Sequence, residues 1–133
     1  MRRNFRRVVL PRFVAHYGAE GAVLEGSRPT DNDTLRRLTE LLARAAKPKY
    51  IILFGSRARG DASEESDFDV MVVESEIVDR GGEMVRLGRL LRPLDVSVDL
   101  LVVSTERFEY WRDTPGNVYF EAASEGRILY EAA

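Results

Sequence analysis

The sequence predicts an α/β fold in which helices cover a small sheet. Three observations carry that expectation. Short apolar runs rich in β-branched and aromatic residues occupy 49–54, 67–73 and 98–103, helix-period apolar stripes lie around them, and glycine or proline stands where one pattern gives way to the next. Strands that alternate with helices bury one face of each helix on the sheet, giving the order α-β-(short α)-β-α-β-α-β.

Taken in order, Thr30-Asp31-Asn32-Asp33 offers N-cap oxygens to a helix expected over 34–46. Leu35, Leu38, Leu41, Leu42 and Ala45 form its apolar stripe, Arg36, Arg37 and Arg44 face outward, and Glu40 stands four residues before Arg44. Pro48 stops that helix before the first strand, which Gly55-Ser56 ends. Ser56-Arg57-Ala58-Arg59 then opens a short helix, and a polar loop over 60–66 leads into the second strand. A helix is expected over 82–91, with Met84, Leu87 and Leu91 inward and Arg92-Pro93 closing it. After the third strand, Thr114-Pro115 reads as N-cap and first residue of a helix to 124, Gly126 as its stop, and 127–130 as a short last strand.

The chemistry is concentrated in Gly55-Ser56, the ten residues after it, and Asp67-Phe68-Asp69. A glycine after a buried strand lets the backbone approach a ligand, and a helix opening at Ser56 points free N–H groups at a phosphate. Ser56 adds a hydroxyl, while Arg57 and Arg59 add positive charge. Alternate residues of a strand share a face, so Asp67 and Asp69 point one way while Phe68 and Val70 pack on the other. Two carboxylates on one face suit a pair of Mg²⁺ ions roughly 3.5–4 Å apart, as in-line phosphoryl transfer requires. Asp99 interrupts the third apolar run, where propensity and desolvation both disfavour it unless it has a partner such as a metal. Asp95 would share its face but lie about 13 Å away at ~3.3 Å per residue, too far to serve the same ion. The structural alternative is a tight turn followed by surface aspartates.

Gly-Ser, ten residues, Asp-x-Asp and a later lone aspartate in a strand resemble the DNA polymerase β-like nucleotidyltransferase superfamily, and within it the minimal nucleotidyltransferase (MNT) antitoxins paired with HEPN-domain ribonuclease toxins. The resemblance covers about residues 34–131. It rests on the Gly-Ser, Arg-Gly and Asp-x-Asp elements together. It implies a mixed sheet of the polymerase β-like type rather than a parallel one. By the same resemblance Gly55 and Ser56 bind the triphosphate, Asp67 and Asp69 hold both metals, and Asp99 holds the catalytic metal and helps deprotonate the acceptor. Arg59 matches a position usually basic in the family, and Arg57 is a further phosphate contact. The implied cofactors are two Mg²⁺ ions, with ATP or another nucleoside triphosphate as substrate.

Composition agrees with one small domain. In 133 residues, 44% are hydrophobic and 32% charged, enough for a single core. The absence of cysteine excludes disulfides and thiolate metal sites. No apolar run reaches the length that spans a bilayer, and Pro11 and Arg12 interrupt the stretch that would make a signal peptide, so a cytoplasmic protein is expected. Residues 1–12 carry five arginines and no acid, which leaves −7 on the rest of a chain whose net charge is −2. Residues 1–33 are therefore read as a basic, solvated extension and 34–133 as the nucleotidyltransferase domain; direct nucleic-acid binding is not expected. The excess of arginine over the two lysines, Lys47 and Lys49, reflects coding bias.

Gly26-Ser27 followed by Asp31-Asn32-Asp33 mimics the main motif. Only three residues separate Ser27 from Asp31 and no strand follows, so capping is the expected role. Asp61, Glu64 and Glu65 are read as a solvated loop, Glu74 and Glu76 as water-facing, and His16 as a surface or packing residue. Phe108, Tyr110 and Trp111 are read as core, with base stacking or a partner interface as the alternative.

The expected function is transfer of a nucleoside monophosphate, AMP from ATP, to a hydroxyl of a HEPN-type toxin. Little chain remains after Asp99 for a domain that recognises the acceptor. The alternatives are a non-catalytic antitoxin that neutralises by binding, or transfer to a small hydroxylated molecule.

Overall fold

A computed structural model describes residues 29–133, so the basic arm, His16 and Gly26-Ser27 lie outside the described residues. The elements run α1 (Pro29–Ala46), β1 (Tyr50–Phe54), α2 (Ser56–Arg59), β2 (Phe68–Glu74), α3 (Arg80–Leu91), a 3₁₀ turn (Arg92–Leu94), β3 (Val98–Ser104), α4 (Thr105–Trp111), α5 (Val118–Glu125) and β4 (Arg127–Glu131). The four strands lie in the order β3-β2-β1-β4. β1 pairs antiparallel with both β2 and β4, while β2 and β3 are parallel, so the sheet is mixed as expected. The parallel pair needs a long crossover, which α3 supplies.

Alternation along the strands divides the core in two. Ile51, Leu53, Phe68, Val70, Val72, Val102 and Leu129 face Leu35, Leu38, Leu42, Leu87 and Leu91 of α1 and α3. Tyr50, Ile52, Phe54, Met71, Val73, Val103 and Ile128 face Phe108 of α4 and Ala122 and Ala123 of α5. Central strands read as continuous apolar runs because both of their faces are covered.

Several expectations need correction: of the aromatic residues read as core only Phe108 is buried, while Tyr110 and Trp111 are exposed. α1 starts at Pro29 rather than at 34. Proline fits the first helical position because its missing N–H would have no intrahelical partner there. Asp31 and Asp33 consequently lie in the helix rather than before it, and pair with Arg57 and Arg36. A helix absent from the expected order, α4, follows β3 directly, with Ser104 as its N-cap accepting from the N–H of Arg107 at 3.1 Å. α5 starts later than Thr114-Pro115 suggests, because Asn117 is the cap and accepts from the N–H of Phe120 at 2.9 Å.

Nor does Glu74 face water: it is 7% exposed, and its Oε2 has no hydrogen-bond partner. Burial, together with the nearby Glu83 carboxylate, pushes its pKa up to about 7, and Arg86 only partly offsets this. Arg86 holds Glu83 through two bonds of 2.9 and 2.8 Å and donates to the Ala45 carbonyl at 3.1 Å, closing the C-terminal end of α1.

Candidate active site

The site lies where β1 ends and β2 and β3 begin. Phe54 is paired with Asp69 across the antiparallel ladder, and Asp69 with Asp99 across the parallel one. In register and on the same face of adjacent strands, the Asp69 and Asp99 side chains necessarily meet. That face also carries Met71, Val103 and α5. Asp67 stands two residues before Asp69, just outside β2, and the strand entrance is fixed by the Phe68 N–H donating to the Ser97 carbonyl at 2.9 Å.

Gly55 joins this pair to the next helix. Its φ of 75° lies in the left-handed region, which favours glycine, and a Cβ there would collide with the Asp69 carboxylate. Two separate constraints thus exclude a side chain. The turn brings a backbone stripped of bulk against a strand carboxylate. α2 opens immediately after it, its first internal bonds being those from the N–H groups of Ala58 and Arg59 to the Gly55 carbonyl. The N–H groups of Ser56 and Arg57 precede them in the turn.

The electrostatics record the crowding. The Asp69 carboxyl is held above the usual aspartate range by burial first, then by the charges of Asp99 and Asp67, and then by Glu121 of α5. Glu121 was not anticipated. It sits on a helix 52 positions beyond Asp69, and only the packing of α5 on this face brings it near. Asp99 departs from expectation as well: it is exposed, because β3 is an edge strand and its first residues look onto solvent. The desolvation argument for its having a partner therefore fails, although its alignment with Asp69 stands.

The arginines divide in role. Arg59 is exposed and surrounded by acids, at 3.2 Å from Asp61, 3.4 Å from Glu121 and 3.6 Å from Glu125. Two of its partners, Glu121 and Glu125 of α5, line an open pocket of about 410 Å³ together with residues including Asn117 and Phe120. Arg57 points the other way. Its guanidinium donates to the Ser66 carbonyl at 3.0 and 2.9 Å and the Glu64 carbonyl at 3.3 Å, pairs with Asp31 at 3.2 Å, and lies 4.1 Å over the Phe68 ring.

A donor set made only of carboxylate oxygens suits a hard divalent cation such as Mg²⁺. The repulsion that raises the Asp69 pKa is what such a cation relieves, so the residues present fit it. They are not a finished cage: among the described residues no three carboxylate, imidazole or thiolate groups are gathered tightly enough to hold an ion by themselves. No described helix is long and apolar enough to cross a membrane.

Comparison with known proteins agrees with this geometry. The chain is 38% identical over 82 residues to the "Putative protein adenylyltransferase MJ0604" of Methanocaldococcus jannaschii, a match covering 62% of this chain and 78% of that protein. It is 50% identical over 40 residues to a second protein of that description, MJ1379, from the same organism, spanning 30% of this chain and 40% of that protein. Among solved structures it is similar to a toxin–antitoxin crystallised with AMP-PNP, with a TM-score of 0.52, 25% identity, and coverage of 74% of this chain and 73% of that one. A mutant of the toxin–antitoxin MntA-HpeT shares the fold at a TM-score of 0.51 and 23% identity, with the same coverage. The family model described as "Polymerase beta, Nucleotidyltransferase" matches residues 36–133, well over half of the chain and every residue of the site. The chain belongs to the polymerase β nucleotidyltransferase family.

Proposed function

We propose that the chain transfers AMP from ATP to a hydroxyl group of a partner protein, a HEPN-type toxin, and so acts as an antitoxin. The observation that carries this reading is the alignment of Asp69 with Asp99 beside a Gly55 turn that tolerates no side chain. Carboxylates in register next to the backbone N–H groups that open a helix suit a triphosphate and its counter-ions. The similarity to proteins described as protein adenylyltransferases supports a protein acceptor, and the similarity to a toxin–antitoxin crystallised with AMP-PNP supports both the nucleotide and the partner.

In this reading Gly55 and Ser56 cradle the phosphates through backbone N–H groups and the Ser56 hydroxyl. Asp67, Asp69 and Asp99 hold Mg²⁺, which when bound neutralises the triphosphate and lowers the pKa of the acceptor hydroxyl. The acceptor oxygen forms a bond to the α-phosphorus as the bond to the bridging oxygen breaks. Pyrophosphate leaves, and the hydroxyl proton passes to the Asp99 carboxylate, which the edge strand leaves open to an incoming protein. Arg59 exchanges its acidic partners for the triphosphate. The protein contributes position and charge rather than a covalent intermediate.

The test is to incubate the full chain with Mg²⁺, each nucleoside triphosphate in turn and the product of the neighbouring gene, and to take intact masses. A partner that gains nucleoside monophosphate units, with the gain lost in Asp67→Ala and Asp69→Ala, is the expected result. Full neutralisation of the partner by those two variants, with no mass change in any mixture, would establish the binding antitoxin instead.

A further inference from the structure

Arg57 occupies a position from which a phosphate contact is the first expectation, yet its donors are already engaged. Four bonds, to the Ser66 carbonyl twice, the Glu64 carbonyl and Asp31, use four of the five N–H groups a guanidinium possesses. The face of the group is used as well, 4.1 Å above the Phe68 ring. Its side chain is 10% exposed and that of Asp31 15%, so the ion pair between them is well shielded from water. These partners have one thing in common. Ser66 and Phe68 flank Asp67, so a single planar group grips the chain on both sides of that carboxylate.

Asp67 itself is exposed and stands outside β2, where the strand ladder does not position it. In the loop from Gly60 to Ser66 the Asp61 N–H is held by the Ser56 carbonyl at 3.1 Å, while the bonds among Ser63, Glu65 and Ser66 are local to the loop's end. Without a fixed point beyond them, the residue leading into Asp67 would share the loop's freedom, and a carboxylate misplaced by a fraction of an ångström is a poor ligand.

Resting on the nucleotidyltransferase reading above, we infer that Arg57 is a positioning residue: it fixes Asp67 for metal by clamping Ser66 and Phe68 on either side of it, with Asp31 of α1 holding the guanidinium in place. Lysine cannot substitute, because an ammonium has neither the plane that stacks on Phe68 nor the fork that spans two carbonyls. Supporting groups of this kind commonly change metal affinity or activity by about 10- to 100-fold when they are altered.

The full chain is titrated with Mn²⁺ in the presence of a non-transferable ATP analogue, and free Mn²⁺ is followed by electron paramagnetic resonance. Arg57→Lys is expected to raise the half-saturating Mn²⁺ about tenfold while leaving the analogue's own affinity at saturating Mn²⁺ within about twofold. Asp31→Asn is expected to move Mn²⁺ in the same direction by a smaller factor. An Arg57→Lys chain with unchanged Mn²⁺ affinity, or with weakened nucleotide binding and intact Mn²⁺ binding, overturns the inference, the latter in favour of a phosphate contact. Should Arg57→Lys fail to fold, Asp31→Asn decides alone: a weakened Mn²⁺ response supports the clamp and an unchanged one refutes it. The readout involves no transfer. A parent chain that binds Mn²⁺ but modifies no partner therefore defeats the proposed function without touching this inference, and one that binds no Mn²⁺ defeats the clamp.

Discussion

The two ends of the sheet each hold a carboxylate crowded by other carboxylates, and they resolve the crowding in opposite ways. At one end Asp69 faces Asp99, Asp67 and Glu121, and its pKa rises. At the other, Glu74 faces Glu83, and its pKa rises to about 7. The second cluster is covered by α3 and contains its own cation, Arg86, bonded in turn to the end of α1. The first is open, and the exposed cation beside Glu121, Arg59, is shared among Asp61, Glu121 and Glu125. Repulsion that the chain's own arginine partly offsets is part of the architecture. Repulsion left facing solvent is what the proposed Mg²⁺ would relieve.

The sharpest way to break this comparison is Asp69→Asn. Transfer to the partner is expected to fall by about a thousandfold or more, since removing even one well-placed charge-stabilising group commonly costs 10²–10³. In the absence of metal the same variant should melt higher than the parent at neutral pH. A carboxyl whose folded pKa is raised gives its full stability only below its ordinary value, 3.8 for Asp69, and loses it as pH rises through the folded one. Calorimetry at pH 7 without divalent ions checks this, and an unchanged or lowered melting temperature contradicts it. Added Mg²⁺ and nucleotide should stabilise the parent more than the variant.

Gly55→Ala is expected to act next in size. The left-handed φ and the collision with Asp69 together should cost at least about 1 kcal/mol in denaturant unfolding, with transfer reduced about a hundredfold as the turn and carboxylate separate. A variant that keeps parental activity would mean that the turn need not approach Asp69 so closely.

Glu74→Gln should have the smallest effect and be silent in catalysis. Its raised pKa implies stability that is complete below its ordinary value of 4.5 and lost as pH rises through about 7, so the parent should melt lower at pH 8 than at pH 5.5 from this group alone. Glutamine should flatten that slope and raise the melting temperature at pH 8 by a few degrees. Glu83 titrates in the opposite sense: its pKa is lowered, by its bond to Arg86 above all, so its stabilisation is lost on acidification below the ordinary 4.5 and leaves the window above it to Glu74. A slope that survives Glu74→Gln between pH 5.5 and 8 would place the titration elsewhere.

Much of this arrangement was legible in the chain. The four strands and the Gly55-Ser56, Asp67, Asp69 and Asp99 pattern could be read directly, because buried strands are continuous apolar runs and the motif interrupts them at defined places. What escaped was decided by tertiary packing. α4 is only seven residues long, and Phe108, Tyr110 and Trp111 disguise its period, with Phe108 buried and the other two exposed. The start of α1 was masked by Asp31-Asn32-Asp33, a run that itself reads as a cap. Glu74 becomes buried only when α3 folds over the end of β2, and Glu121 approaches Asp69 only when α5 does. The exposure of Asp99 depends on which strand forms the sheet's edge, something a lone apolar run does not record.

The alignment of Asp69 with Asp99 also sets a tolerance for error. Along the same two strands, Val70 meets Leu100 and Val72 meets Val102, all turned toward α1 and α3. A slip of one residue between β2 and β3 would send those side chains out of the core at the same moment as it sent Asp99 to the wrong side of the sheet. A miscatalytic register is thereby also a misfolded one. The aliphatic residues beneath α3 proofread the spacing of two carboxylates they never touch.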